Sequence, residues 1–383
     1  MIENIFDIKH SSADGKARTG TLHLPHGDVQ TPVFMPVGTN ATVKALTKDD
    51  LEEIGFEIIL ANTYHLYLRP GSDIIEEAGG LHGFSKWNRN FLTDSGGFQV
   101  WSLSKLRKIT MEGAAFQSNI DGSKHLFTPE KVVDVQTQFN SDIQMQLDVC
   151  TGWGIDKNEA VHALDVTENW SKRAKAQWLK NREEKGYKGI LLPIVQGNFF
   201  EDLRIRSSEF VTKLDLPAIA IGGLSVGEPP EVFAEMLDFT VQHLPVGKAK
   251  YVMGIGTPDY ILDAVHSGID MFDCVLPTRN GRNGSYFTKD GPLPIKQERF
   301  AHDFSPVDSE CNCKVCRTYS RAYLRHIFKE QEILSSMLAS YHNLYFLHNM
   351  MHEIRAAINE DRFEEYRTNF LKRYHSGKWK LNQ

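Results

Sequence analysis

The feature that most limits the fold is a unit that recurs along the chain. A short apolar run ends in glycine or a polar residue, and a longer stretch with helical character follows. The runs are Glu57-Ile-Ile-Leu-Ala-Asn62, Phe91-Leu-Thr-Asp94, Asp142-Ile-Gln-Met-Gln-Leu-Asp148 and Ile190-Leu-Leu-Pro-Ile-Val-Gln196, then Ala218-Ile-Ala-Ile-Gly222, Lys250-Tyr-Val-Met-Gly254 and Met271-Phe-Asp273. Between them lie plausible helices. Thr128-Pro129-Glu130 offers a capping hydroxyl and a proline in the first turn, and Glu159 to Lys180 reads as a long amphipathic helix. Seven strand-then-helix units predict a parallel sheet, with a (β/α)8 TIM barrel as the favoured closure. A doubly wound open sheet is the alternative. No Gly-x-Gly-x-x-Gly opens a first helix and no Walker-type phosphate loop is present, which weighs against it.

The ends of the chain read differently. Residues 1–50 are expected to form an N-terminal region in which Thr19 to Pro36 makes a β-hairpin, turning at Pro25-His26-Gly27-Asp28 as a lid across the barrel floor. Residues 51–284 are the expected barrel core. Residues 285–383 form a C-terminal subdomain with a second hairpin at Tyr286 to Ile295, a cysteine cluster and terminal helices. At 383 residues, 41% apolar and 24% charged, the chain is a globular protein with a large core rather than a disordered or fibrous one. The start, Met1-Ile-Glu-Asn-Ile-Phe-Asp7, lacks the basic opening and apolar core of a signal peptide, and no apolar run approaches a membrane span; a cytoplasmic location is expected. The net charge of −6 argues against bulk attraction to nucleic acid. It is unevenly spread: residues 275–383 carry 17 Lys and Arg against 12 Asp and Glu, so an acidic body joins a basic C-terminal part able to present a local polyanion site.

Three of the five cysteines, Cys311, Cys313 and Cys316, fall within six residues. That is too tight for ordinary disulfide pairing and predicts metal in a reducing compartment rather than three buried free thiols. Three thiolates need a fourth ligand to close a tetrahedral structural zinc site. His326, His342, His348 and His352 follow, with His342 placed beyond a helix-length segment able to fold back over the loop. Such a site has no open position and would hold structure rather than activate water. Cys150 and Cys274 read as small apolar fillers.

In a barrel, chemistry gathers where strands end at the C-terminal face. Those ends carry Asp94, Asp148, Gln196, Gly223, Gly254 and Asp273. Any single carboxylate there can serve as an ion-pair or loop-capping residue. Three together, beside Gln196 and a double glycine, point to carboxylate-driven substitution at a glycosidic carbon, one group attacking and another moving protons.

Several stretches are long enough to carry a family signature. Thr93-Asp-Ser-Gly-Gly-Phe-Gln-Val100, Ile194-Val-Gln-Gly197, Ala220-Ile-Gly-Gly-Leu-Ser-Val-Gly-Glu228, Met253-Gly-Ile-Gly-Thr-Pro258, Asp270-Met-Phe-Asp-Cys-Val-Leu-Pro-Thr-Arg-Asn280 and the cysteine triplet with His342-Asn-Leu resemble, in order over nearly the whole chain, the bacterial tRNA-guanine transglycosylases. The resemblance implies a homodimer of barrels, each with one structural Zn2+ on Cys311, Cys313, Cys316 and His342. It implies exchange of the wobble guanine in tRNAs with a GUN anticodon (Asp, Asn, His, Tyr) for a 7-deazaguanine, in bacteria 7-aminomethyl-7-deazaguanine, or by salvage queuine itself. Carried over by motif, Asp273 is the nucleophile on the ribose and Asp94 the proton acceptor and donor. Asp94, Ser95, Gly96, Gly97, Asp148, Gln196, Gly223 and Leu224 would line the base, with Phe98 and Met253 on its faces. Gly254, Ile255, Gly256, Thr257, Pro258, Asp259 and Tyr260, and a loop of Thr278, Arg279, Asn280, Gly281 and Arg282, would contact RNA. Arg279 and Arg282 have a structural reading too, as partners of acidic neighbours.

The chain departs from that pattern in places. Val149 stands where Glu is common, Thr151-Gly-Trp-Gly154 replaces a proline-rich stretch, Pro193 and Asn198 replace glycines, and Gly281 replaces alanine. Cys150 and Val226 keep the bacterial type. Two other classes are a non-catalytic tRNA-binding partner subunit and a barrel hydrolase of free nucleosides. The first tends to lose the carboxylates, and the second needs neither the zinc subdomain nor the arginine segment.

Overall fold

The structure is a computed structural model that describes residues 5–13, 15–103 and 107–379. The chain opens with three antiparallel strands, β1 (Phe6–Ser11), β2 (Arg18–Leu24) and β3 (Gly27–Thr31). Gly27 takes the left-handed backbone (φ 116°) that the turn between β2 and β3 requires. The barrel strands follow: β4 (Val33–Gly38), β5 (Ile58–Ala61) and β6 (Asn90–Thr93). Three further strands, β7 (Arg107–Ile109), β8 (Ala114–Gln117) and β9 (Lys124–Phe127), form a small antiparallel sheet outside the barrel. The barrel resumes with β10 (Ile143–Met145), β11 (Ile190–Leu192), β12 (Ile194–Val195), β13 (Ala218–Ile221), β14 (Ala249–Val252) and β15 (Met271–Cys274). A two-stranded ribbon, β16 (Ser285–Tyr286) and β17 (Leu293–Pro294), closes the series at the expected second hairpin.

The parallel sheet runs β11-β10-β6-β5-β4-β15-β14-β13-β12. Its two ends are halves of one run broken at Pro193. Proline has no N–H for the ladder, but its carbonyl accepts from Ala220 N at 2.9 Å, while Gln146 N donates to Leu192 O at 3.3 Å. The ring thus closes with eight strand runs, as the repeating unit predicted. One of the eight was hidden. The expected hairpin ran to Pro36, whereas it ends at Thr31 and β4 pairs in parallel with β15 and β5. The division expected at residue 50 therefore leaves a barrel strand on the wrong side; only Pro32 separates β4 from the hairpin, so the two apolar runs read as one.

Alternation along the strands sorts the core into two faces. Met35, Ile58, Leu60, Leu92, Ile143, Met145, Ile194, Tyr251 and Met271 fill the interior, joined from below by Phe6, Leu22, Leu24 and Val29 of the N-terminal sheet, which plugs the floor. Phe34, Ile59, Phe91, Ile219, Ile221, Val252 and Phe272 face outward to the helices. Two buried carboxylates pin the plug. Asp270 accepts from Arg18 Nε at 2.9 Å and Arg18 Nη2 at 2.6 Å. Asp142 accepts from His26 Nδ1 at 2.6 Å, on the hairpin turn itself.

Around the barrel lie α1 (Lys48–Ile54), α2 (Thr63–Leu68), α3 (Ser72–Glu77), α4 (Gly80–Ser85), α5 (Gly97–Leu103), α6 (Pro129–Gln138), α7 (Lys157–Lys185), α8 (Glu201–Lys213), α9 (Pro230–Gln242) and α10 (Pro258–His266). Thr128 caps α6, its hydroxyl accepting from Lys131 N, and Pro129 sits in the first turn as predicted. After β15 come α11 (Leu276–Arg282), α12 (Lys314–Thr318), α13 (Arg321–Lys329), α14 (Ile333–Asn359) and α15 (Phe363–Tyr374). The long, largely buried α14 packs on α11 and reaches β2 and β4, so the C-terminal part is built onto the barrel. Among the described residues no helix is long and apolar enough to cross a membrane.

Candidate functional site

The inward phase of each strand continues one residue past its end and delivers the polar groups at the mouth. On β15, Met271 faces in and Phe272 out, so Asp273 faces in. On β6 the order is Phe91 out, Leu92 in, Thr93 out, which turns Asp94 inward; the same phase turns Gln196 and Met253 inward after β12 and β14. Asp148 arrives differently. Leu147 packs with Tyr64, Val100, Phe116 and Trp170 outside the barrel, so the chain has turned before Asp148, three residues beyond β10.

Asp94 is held by donors on three sides. Thr63 N donates to Oδ1 at 2.8 Å, Gln99 Nε2 to Oδ2 at 3.2 Å, and Asn62 Nδ2 also donates to Oδ2. Burial nevertheless raises its pKa to about 7, the donors opposing and the nearby charge of Asp273 adding to the rise. Asp273 accepts from Tyr251 Oη at 2.5 Å and from the Gly254 N–H at 2.9 Å. Burial pushes its carboxyl above the usual range while those two donors favour the ionised form. Two carboxyls that feel each other, one with a pKa near neutrality and the other held by two donors, have the chemistry that an acid–base group and a nucleophile require. Tyr251, itself buried and kept protonated, senses the charge of both.

Asp148 forms the neighbouring part of the wall. Gln196 Nε2 donates to its Oδ2 at 2.6 Å, and burial raises its pKa to about 6. A Cβ on Gly97 would lie 3.1 Å from the Asp148 carbonyl oxygen and 3.3 Å from Ser95 Oγ, which brings the Ser95–Gly97 turn against Asp148. Gly223 (φ 67°) leaves room for Gln196 Oε1, which a Cβ there would meet at 2.4 Å; that oxygen is buried and has no partner. Gly96 is also left-handed (φ 77°), Leu224 is buried, and Phe98 on α5 is 47% exposed with its ring leaning toward Trp101.

Several side chains of the site were missed in the sequence. Asn62 and Thr63 clamp Asp94, Tyr251 holds Asp273, and Arg204 joins two loops. Arg204 is 0% exposed. Its Nε donates to Asn198 O at 2.7 Å and Nη1 to Gly222 O at 2.9 Å, tying the segment after β12 to the one after β13. Asn62 ended a recognised run and carried a usable signal; Arg204 lies within an amphipathic helix and carried none.

The expected RNA segments divide. Thr278 to Arg282 is helix α11 rather than a loop, which turns Thr278 and Gly281 inward and leaves Arg279 exposed with Asn280 and Arg282 half-buried. Gly281 lies so close to α14 that a Cβ would meet Ser340 N and the Ala339 carbonyl carbon at 2.9 Å. Among the described residues no ion pair engages Arg279 or Arg282, so the structural reading of them as partners of acidic neighbours does not hold. Gly254 belongs to the Asp273 pocket; Ile255, Gly256 and Pro258 are buried, and Thr257, Asp259 and Tyr260 are partly exposed at the start of α10.

On the C-terminal side the Sγ atoms of Cys311, Cys313 and Cys316 and a ring nitrogen of His342 all lie within 4.8 Å of one another. His342 Nε2 is 2.8 Å from Phe287 O and donates to it, leaving Nδ1, 3.4 Å from both Cys313 Sγ and Cys316 Sγ, with its lone pair toward the sulfurs. This set can hold a tetrahedral metal ion such as zinc. His326, His348 and His352 stand apart from it, the last two meeting each other at 2.9 Å.

A family model described as queuine tRNA-ribosyltransferase matches residues 13–376. A protein of that name from Treponema denticola is 61% identical over 97% of this chain and 98% of its own length. Namesakes from Caldanaerobacter subterraneus and Borrelia recurrentis are each 52% identical over 97% of this chain and 98% and 99% of theirs.

Proposed function

Because the chain belongs to the queuine tRNA-ribosyltransferase family, whose members are tRNA-guanine transglycosylases, we propose that its barrel mouth replaces the wobble guanine of GUN-anticodon tRNAs with 7-aminomethyl-7-deazaguanine. The observation that carries this reading is the Asp94–Asp273 pair, close enough for one charge to shift the other. Asp273 attacks the ribose anomeric carbon. The bond from carbon to the carboxylate oxygen forms as the bond to guanine breaks, and Asp94 gives its proton to the departing base. The incoming base then yields a proton to Asp94 and displaces Asp273 from the same carbon. Two inversions retain configuration, and the covalent link holds the cut strand between them.

The remaining wall fits a flat purine-like ligand. Asp148 and Gln196 supply acceptor and donor atoms for its edge, with Ser95, the turn of Gly96 and Gly97, and the Gly223–Leu224 backbone beside them. Phe98 and Met253 are taken as the residues for its two faces. Gln196 Oε1, buried without a partner, suits a ligand N–H. Arg279 and Arg282, which meet no acidic partner among the described residues, suit phosphate or base contacts, and Gly254 to Tyr260 are taken as a further RNA-contacting segment. One second reading is salvaged queuine as the base, since Val149 stands where Glu is common and the base preference can differ with it.

The cysteine–histidine set is proposed to hold one structural zinc per subunit. Exposed apolar side chains beside it, Phe304 (78% exposed) and the stacked pair Tyr319 and Tyr323, support a homodimer through that face. The site of action is the cytoplasm, where tRNA is modified. The test is radiolabelled guanine exchange on a GUN-anticodon tRNA, with each candidate base as competitor. Asp273→Asn is expected to abolish both turnover and the denaturant-stable protein–RNA adduct; an adduct that persists names another nucleophile.

A further inference from the structure

Two segments that set this chain apart in sequence, Thr151–Gly154 and Asn198, form one unit in the fold. Asn198 is 3% exposed and takes the left-handed backbone (φ 53°). Its side-chain amide donates to Thr151 Oγ1 at 3.0 Å and to Gly152 O at 2.9 Å, and Arg204 grips its carbonyl from behind. Across the mouth, Trp153 N donates to Val226 O at 3.4 Å. The segments after β10, β12 and β13 thus brace a single residue, Trp153. Its indole meets Phe199 edge to face, with centroids 4.5 Å apart at 86°, and yet is 45% exposed. Gly152 and Gly154 on either side have open space about them. A large apolar ring is therefore held out toward solvent instead of folding onto the protein, five residues beyond Asp148.

We propose that Trp153 is a tRNA-binding residue whose indole stacks on an unpaired tRNA base next to the exchanged nucleotide, with Asn198 as the residue that positions it. The inference rests on the tRNA-exchange reading above. A nucleotide must leave its stack to reach buried carboxylates, and its neighbour then loses a stacking partner. A rigid aromatic face at the rim replaces that partner, and such stacking tolerates any base while fixing where it lies. The pair with Phe199 uses an edge-to-face contact, which fixes the plane of the indole.

The test uses the full chain in guanine exchange. Trp153→Ala is expected to raise KM for tRNA about 5- to 100-fold, with kcat and KM for guanine unchanged, and Trp153→Phe to recover most of the loss. Asn198→Gly keeps the left-handed backbone but removes the amide ties; it should raise KM for tRNA less, and add little on top of Trp153→Ala. An anticodon stem-loop should quench tryptophan fluorescence of the unmodified protein more than that of Trp153→Phe, a measurement that needs no turnover. A change confined to KM for guanine, unchanged constants in Trp153→Ala, or equal quenching in Trp153→Phe overturns the proposal. Failure of the unmodified protein to exchange guanine overturns the underlying reading instead, and shows as absent turnover in every variant.

Discussion

Asp94 carries the most testable consequence of any single side chain. Burial raises its pKa to about 7, so both of its protonation states are populated near neutral pH. In the proposed mechanism, formation of the adduct uses the acid form and should slow as pH rises above about 7; its resolution by the incoming base uses the ionised form and should slow as pH falls below it. Rapid-quench measurement of the two half-reactions separates these limbs, and Asp94→Asn should flatten both while lowering each rate by at least about 100-fold. At this scale the sequence was most informative where a polar residue interrupted an apolar run. Asp94, Asp148, Gln196 and Asp273 each did so. The groups that set their state stood out less: Tyr251 reads as one more strand aromatic, Thr63 acts through its backbone N–H, and Gly254, noted as a strand end and an expected RNA contact, gave no sign that its N–H donates to Asp273.

Among the elements, the join between α11 and α14 is the tightest. Gly281 takes an ordinary helical place there, and although alanine is usual at this position, a Cβ in this chain would meet the α14 backbone at 2.9 Å, so Gly281→Ala should push the helices apart and cost about 1–3 kcal/mol. Denaturant titration checks this, and because Arg279 rides on α11 the exchange rate should fall with it. The buried Asn343 belongs to the same join, donating to Pro277 O and Ser285 O, each at 2.9 Å. The expected RNA loop was a helix because Leu276-Pro277-Thr278 places proline in the first turn of α11, a start signal passed over beside the arginines. The cysteine spacing, by contrast, was legible at once, since few residue patterns compete with it. Removal of metal by a strong chelator should lower the melting temperature by several degrees and loosen the ribbon of β16 and β17, because His342 ties α14 to Phe287 O; proteolysis of the treated protein would find the cut there.

For the whole molecule, the strand-and-helix rhythm was enough to predict a closed barrel, because alternation and return helices leave few other ways to bury the runs. It was not enough to find β4, which has no return helix before it. The floor has its own pH signature. Hydrogen bonding to Asp142 raises the His26 pKa, and although burial works against ionisation of Asp142, hydrogen bonds from His26 and His82 draw its carboxyl below the usual range. Tyr187, kept protonated by burial, also faces Asp142. The contribution of His26 is complete below the ordinary histidine value of 6.5 and fades as pH climbs through the raised one. That of Asp142 is complete above the ordinary 3.8 and fades as pH drops through the lowered one. Thermal melts should show His26→Gln least stable relative to the unmodified protein near pH 5 to 6, with the gap closing toward pH 9. The plugged floor also governs traffic. Among the described residues the interior is packed from Met35 to Tyr251, so in the proposed exchange the spent base would depart by the same mouth its replacement enters. If both bases also use the one wall formed by Asp148 and Gln196, each must leave before the other binds, and ping-pong kinetics in a two-base exchange assay check this.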